Sequence, residues 1–423
     1  MTKTLTTTAM ALALTAGAAS AEELSLLIDN GPSTIAAFEA LTAAYTEMHP
    51  DVTFSIEIRP AGGEGDNIVK SRLATGEMTD LFMYNSGSLF QALRPERTLV
   101  PLNDLENVAP LNDSFKRTVQ DAQGRVYGVP AEGAMGGGIL YHVPTYQELG
   151  LEVPRTWDAF MANNAVIAEK TDKAPVIQTY RNTWTSQLFV LADYYNVQSE
   201  EPGFAEAYTA NAVKFADTPA ALKGFERLQA VHEAGYLNAD YGAASFDDGL
   251  HMVANGTGVH YPMLTFSIGA IRQNSPELID DVGFFAQPGD DAEKNGLTIW
   301  LPSAVYIPKS SEHIDIAKDF LDFVASVEGC ETIVEVNGAI GPQLVPGCEL
   351  PDDVPTAIAD MLPYFEQDGR TAPALEFLSP IKGPALEQLT VEVGSGIRDA
   401  KSAAERYDRD VAKQARQLGL PNW

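Results

Sequence analysis

The chain has 423 residues, with 28 basic against 58 acidic side chains and a formal charge of −30. That length exceeds what one hydrophobic core usually supports, so two units are expected, and 45% hydrophobic with 20% charged residues excludes a disordered or fibrous protein. The acidity excludes nucleic acid and anionic membrane surfaces as partners, since both require a basic face that displaces counterions.

At the start, Lys3, the apolar run Ala9–Ala18 and the small-residue triplet Ala19-Ser20-Ala21 have the layout of an export signal cleaved before Glu22. Residues 1–21 are therefore expected to be a signal peptide, with no Cys behind the cleavage point to take a lipid anchor. No later run approaches the roughly 18 apolar residues of a membrane span, so a free product in the periplasm is expected.

Leu24–Asp29 reads as the first strand. Ile35, Phe38, Leu41, Tyr45 and Met48 then fall on one helical face, and His49-Pro50 stops the helix because the residue before proline is pushed out of the α region. Val52–Ile58 reads as the next strand, Asp66 as the N-cap of a helix ended by Gly76, and Leu81–Tyr84 as a third strand. This is the opening of a βαβαβ unit, whose ligand crevice lies at the carboxyl ends of the strands, beside the loops Asn30–Ser33, Arg59–Asp66 and Tyr84–Ser88.

A second set follows: strand Ile139–His142, helix Trp157–Lys170, strand Val176–Gln178 and helix Trp184–Tyr195. Thr218-Pro219 opens a long helix through Ala234, Ile314 to Val327 carries another apolar stripe, and Ala403 to Leu418 forms a last amphipathic helix before Gly419. The two cysteines, Cys330 and Cys348, are expected to pair in an oxidising compartment. Closing that loop would restrain the unfolded state by about 3 kcal/mol in the chain-entropy model.

Five segments in order carry a family likeness: AYTEMHPDVTFSIEI, SRLATGEMTDLFMYNSGSLFQAL, VYGVPAEGAMGGGILYHVPTYQELGLEVPRTWDAF, SAVYIPKSSEHIDIAKDFLDFVASVEG and VGSGIRDAKSAAERYDRDVAKQARQLG. Together they resemble the bacterial extracellular solute-binding proteins of ABC importers, the family that includes maltodextrin-binding proteins. The resemblance implies an α/β, two-lobed periplasmic binding protein fold of type II, each lobe a mainly parallel sheet flanked by helices with the ligand held between them. It places one lobe at 22–134 plus 303–345 and the other at 135–302 plus 346–423. The crossings fall near Gly133–Gly138 and Trp300–Ser303, and Gly136-Gly137-Gly138 reads as a hinge, because glycine absorbs large φ/ψ changes.

The same resemblance implies capture of a sugar, a di- or oligosaccharide or glycoside, its delivery to a membrane permease, and no catalysis; a monomer is expected. A sugar offers hydroxyl edges and flat C–H faces, so its site combines planar polar groups with aromatic platforms. The family pattern puts Tyr84, Asn85 and Ser86 after the third strand, Leu264 and Phe266 after a strand of the other lobe, Tyr180, Arg181 and Trp184 on the same wall, and Trp300 at the second crossing. Asn30 and Ser33 at the first helix start, Arg59, Glu64 and Asp66 in the second loop, and Glu132 complete the candidates, each with a plainer role as core, cap or surface residue. The acidic residues that maltodextrin binders use in the first two loops are not clearly matched, so maltose is not implied.

No cofactor or metal is implied: the glycine-rich segment lacks a GK[ST] ending, the six histidines do not cluster, and Tyr194-Tyr195 fall in a predicted helix where neighbours point apart. A glycerol phosphodiester or a polyamine is the alternative solute. A glycosidase is the alternative from another class; it would need two carboxylates flanking a sugar.

Overall fold

A computed structural model describes residues 22–423; the expected signal peptide lies outside the described residues. Among the described residues eleven strands form two sheets: β1 Glu22–Asp29, β2 Val52–Arg59, β3 Leu81–Tyr84, β4 Gly128–Pro130, β5 Met135–His142, β6 Ala174–Val176, β7 Gly258–Leu264, β8 Val282–Ala286, β9 Leu297–Trp300, β10 Ala304–Tyr306 and β11 Thr371–Pro373. The first sheet has the order β2-β1-β3-β10-β4 and the second β11-β9-β5-β7-β6, with β8 also on β5. The chain thus passes between sheets twice over short segments, from Pro130 to Met135 and from Trp300 to Ala304.

Both sheets are mixed, which corrects the expectation of mainly parallel ones. In the first, β1 pairs in parallel with β2 and β3, but β10 is antiparallel to β3 and β4. In the second, β5 is antiparallel to β7, β8 and β9, and only β6–β7 and β9–β11 are parallel. Strands that arrive through a direct crossing such as Leu301–Ser303 have no helical crossover to turn them parallel.

The first helix, Pro32–Met48, buries Ala37, Phe38, Leu41 and Tyr45 as its periodicity requires. Its cap differs from expectation: Gly31 is the N-cap with no side-chain bond, and Asp29 Oδ1 instead accepts from the Gly31 amide at 2.9 Å. The second helix begins at Gly62, a turn before Asp66, which is therefore interior and not a cap. Gly65 permits the early start, because a β-carbon there would lie 1.9 Å from the Pro60 carbonyl oxygen.

The strand expected at Val176–Gln178 is Ala174–Val176, and the helix expected over Trp184–Tyr195 is broken into Thr183–Gln187, Leu188–Leu191 and Tyr194–Glu200. The Thr298 hydroxyl explains the last break: it donates to the Ala192 carbonyl at 2.7 Å and accepts from the Tyr195 amide at 2.9 Å, diverting both from a helical ladder. Pro219 opens the helix Pro219–Glu233 where expected, although the Thr218 hydroxyl caps nothing. The helices Ile314–Val324 and Ala400–Gln417 follow their apolar stripes, and Cys330 is bonded to Cys348.

The Gly136-Gly137-Gly138 triplet is not a hinge loop. It lies inside β5, buried and paired on both edges. Its glycines serve close packing: a β-carbon on Gly137 would sit 2.1 Å from the Trp300 ring, and one on Gly138 2.3 Å from the Phe285 carbonyl. Among the described residues no helix is long and apolar enough to cross a membrane.

Candidate functional site

β1 and β2 run in register to their last residues, so Asp29 and Arg59 end side by side at the carboxyl edge of the first sheet. The loops that follow are tied together, the Ala61 amide donating to Asn30 Oδ1 at 3.2 Å. They open onto a cavity of about 550 Å³ between the two sheets, with Asn30, Arg59, Asp66, Asn85 and Ser86 on its first wall. Open α/β sheets hold ligands at this edge because strand-end loops and helix starts converge there.

Arg59 is almost fully buried and donates to the carbonyls of Pro60 at 3.0 Å and Met83 at 3.1 Å. Its guanidinium stands 5.9 Å from the Tyr84 ring centroid. Burial pushes the Asp66 carboxyl upward, opposed by Lys70, Lys382 and Arg59. Ser86 donates to the Pro302 carbonyl at 2.8 Å, fixing the third loop to the second crossing.

The other wall is aromatic. Trp184, Phe246 and Phe266 come from three separate segments and meet with centroids 5.2, 5.7 and 6.1 Å apart, the two phenylalanines stacked. Leu264 and Arg181 line the cavity beside them. Trp300 lies on the floor, where its ring covers Gly137 and its Nε1 donates to Glu376 Oε1 at 2.6 Å; Glu376 in turn pairs with Lys382 at 3.2 Å.

Glu132 aside, ten of the fourteen residues singled out from the sequence line this cavity, and four do not. Tyr84 has no exposed surface: all four residues of β3 are buried, so its ring is core. Ser33 is buried against the other side of its helix, its carbonyl accepting from Asn337 Nδ2, and Thr34 lines the cavity instead. Glu64 points outward from the helix Gly62–Thr75, and Tyr180 is buried against Tyr241 and Gly394.

Glu132 also lines the cavity. It touches the cavity but is enclosed by protein around it, and that burial, reinforced by the Asp29 carboxylate, pushes its carboxyl up to about 8. Asp29, Phe246, Glu376, Phe377, Lys382 and Glu387 were missed by the sequence reading. Phe246 was findable, because Ser245 and Asp248 form a capping box that marks a helix start at that residue. Glu376, Phe377 and Lys382 lie in or just after the single-turn helix Leu375–Leu378, where no periodicity speaks, and Glu387 stands in the first turn of the helix Leu386–Gly394.

Residues 30–329 match the family of bacterial extracellular solute-binding proteins. The chain is 23% identical over 284 residues to a multiple sugar-binding protein of Streptococcus mutans, a match spanning 65% of this chain and 65% of that relative, just under two thirds of its length. Among solved structures, a chitin oligosaccharide binding protein is similar with a TM-score of 0.80 and 19% identity, over 94% of this chain and all of that one. A solute-binding protein, RafE, in complex with raffinose is similar with a TM-score of 0.75 and 20% identity, over 94% and 99% of the two chains. Strand-end loops facing an aromatic wall across a cleft agree with the match over most of the sequence: this chain belongs to the bacterial extracellular solute-binding protein family.

Proposed function

We propose that this protein captures a sugar, of di- or oligosaccharide size or a glycoside, in the cavity between its sheets and delivers it to the permease of an ABC importer. The observation that carries this reading is the facing of unlike walls: the Trp184–Phe246–Phe266 surface opposes the polar strand-end loops across one cavity of about 550 Å³. Aromatic faces suit sugar C–H faces, while Asn30, Asn85, Arg181 and the carboxylates suit hydroxyl edges. The relative and both structural neighbours are named for sugars, which supports the same class.

In this reading the lobes are 22–134 plus 303–345 and 135–302 plus 346–423, closure is favoured because only the closed form touches the ligand from both sides, and the protein works as an exported periplasmic monomer without chemistry of its own. Ten residues named from the sequence are the proposed contacts, with Trp184, Phe266 and Trp300 as platforms.

A thermal-shift and calorimetric screen against saccharides tests the reading. Ligand at 100 times its Kd adds about 2.7 kcal/mol of stability, and Phe266→Ala is expected to weaken binding roughly tenfold or more. Stabilisation by a glycerol phosphodiester or a polyamine with saccharides silent would remove the sugar and keep the importer role. The alternative from another class is a glycosidase, for which Asp29 and Glu132, both lining the cavity, would be the two carboxyl groups. Release of reducing ends from oligosaccharides by the wild type, abolished in Glu132→Gln, would establish it in place of transport.

A further inference from the structure

The segment Gly338–Cys348 starts and finishes on the first half of the molecule. It leaves the helix Val327–Asn337, whose Asn337 Nδ2 donates to the Ser33 carbonyl at 3.0 Å, and ends at Cys348, bonded back to Cys330 of that helix. Near its end Leu344 and Val345 join the first core, and the Leu344 carbonyl accepts from the Asn112 amide at 3.0 Å. Between these anchors its tip reaches the second sheet. The Pro342 carbonyl accepts from the Ala134 amide at 2.8 Å, and a β-carbon on Gly341 would lie 2.0 Å from the Ala134 carbonyl oxygen. Ile340 packs with Met135 and Trp300 against Leu264 and Phe266.

Thr265 holds this tip. It is fully buried between Leu264 and Phe266, both of which line the cavity. Its hydroxyl donates to the Ile340 carbonyl at 2.7 Å and accepts from the Gly136 amide at 3.0 Å, while its own amide donates to the Gly136 carbonyl at 2.9 Å. One side chain thus joins the strap tip, the start of β5 and the aromatic wall.

We infer that Thr265 is a positioning residue for ligand capture, its hydroxyl coupling the Gly338–Cys348 strap to the Leu264–Phe266 wall so that the angle between the lobes and the wall of the site change together. The inference rests on the cavity being the binding site. A methyl group cannot replace a hydroxyl that both donates and accepts: Thr265→Val keeps the shape but leaves a buried N–H and a buried carbonyl without partners, whereas Thr265→Ser keeps both bonds.

Spin labels on Ser71→Cys and Ala162→Cys, exposed positions on the helices Gly62–Thr75 and Trp157–Lys170, report the distance between the two halves by pulsed EPR without any ligand. The distribution is expected to broaden in Thr265→Val and to match the parent in Thr265→Ser. Saccharide affinity is expected to fall roughly tenfold in the valine variant and to return to within about threefold in the serine variant. Should the valine variant fail to fold, the double substitution Cys330→Ala with Cys348→Ala frees one end of the strap and is expected to broaden the distribution in the same way. An unchanged distribution in either variant, or a broadening that serine does not reverse, overturns the inference. If the parent binds no saccharide, the sugar assignment falls, and the ligand-free distances still decide the role of Thr265.

Discussion

Glu132 shows how one side chain can write the pH response of the fold. Its carboxyl titrates at about 8 in the folded protein and at about 4.3 in an unfolded chain. Between those values the folded state holds a proton that the unfolded state has released, so this contribution to stability is full below the lower value and is lost as pH rises through the upper one. The melting temperature of the wild type is therefore expected to fall between pH 5 and 8 more steeply than that of Glu132→Gln, as calorimetry across that range would register. Equal slopes would mean that the carboxylate is hydrated by the cavity after all. Asp66, also raised by burial, acts in the same direction and is common to both proteins.

The elements around the cleft differ in how openly the sequence announces them. The helix Pro32–Met48 was legible because burial on one face imposes a period, and β1 because a strand covered on both faces reads as a short apolar run. The break in the segment Thr183–Glu200 was not, because it comes from the hydroxyl of Thr298, more than a hundred residues away. The glycine triplet of β5 was misread for a related reason. Glycine serves both freedom and close approach, and only the position of the Trp300 ring distinguishes them. Ten of the residues named from the sequence line the cavity because strand ends mark the crevice; Tyr84 does not, because β3 is covered on both faces, a fact of layering and not of its own four residues. Gly137→Ala tests the packing account: its methyl group would collide with the Trp300 ring, lowering stability by roughly 1–3 kcal/mol in denaturant unfolding and weakening ligand binding by displacing the floor of the site. An alanine variant of undiminished stability would return the triplet to the role of hinge.

Over the whole molecule a formal charge of −30 makes the compact state repel itself. Salt screens that repulsion, so the melting temperature is expected to rise between about 10 mM and 150 mM sodium chloride, where the screening length shortens from about 30 Å to 8 Å. A melting temperature that falls with salt would place the net balance in exposed ion pairs such as Arg72 with Glu57, which salt also screens. The topology has a different consequence, for synthesis and translocation. β10 sits between β3 and β4, yet it comes after β5 through β9 in the chain. A polypeptide emerging from its amino end cannot complete its first sheet until Ala304–Tyr306 has appeared, so the segments made earliest wait for one of the later ones. The order of assembly therefore delays stable folding until most of the chain is made, an interval in which a translocation machine can still thread it as an open strand.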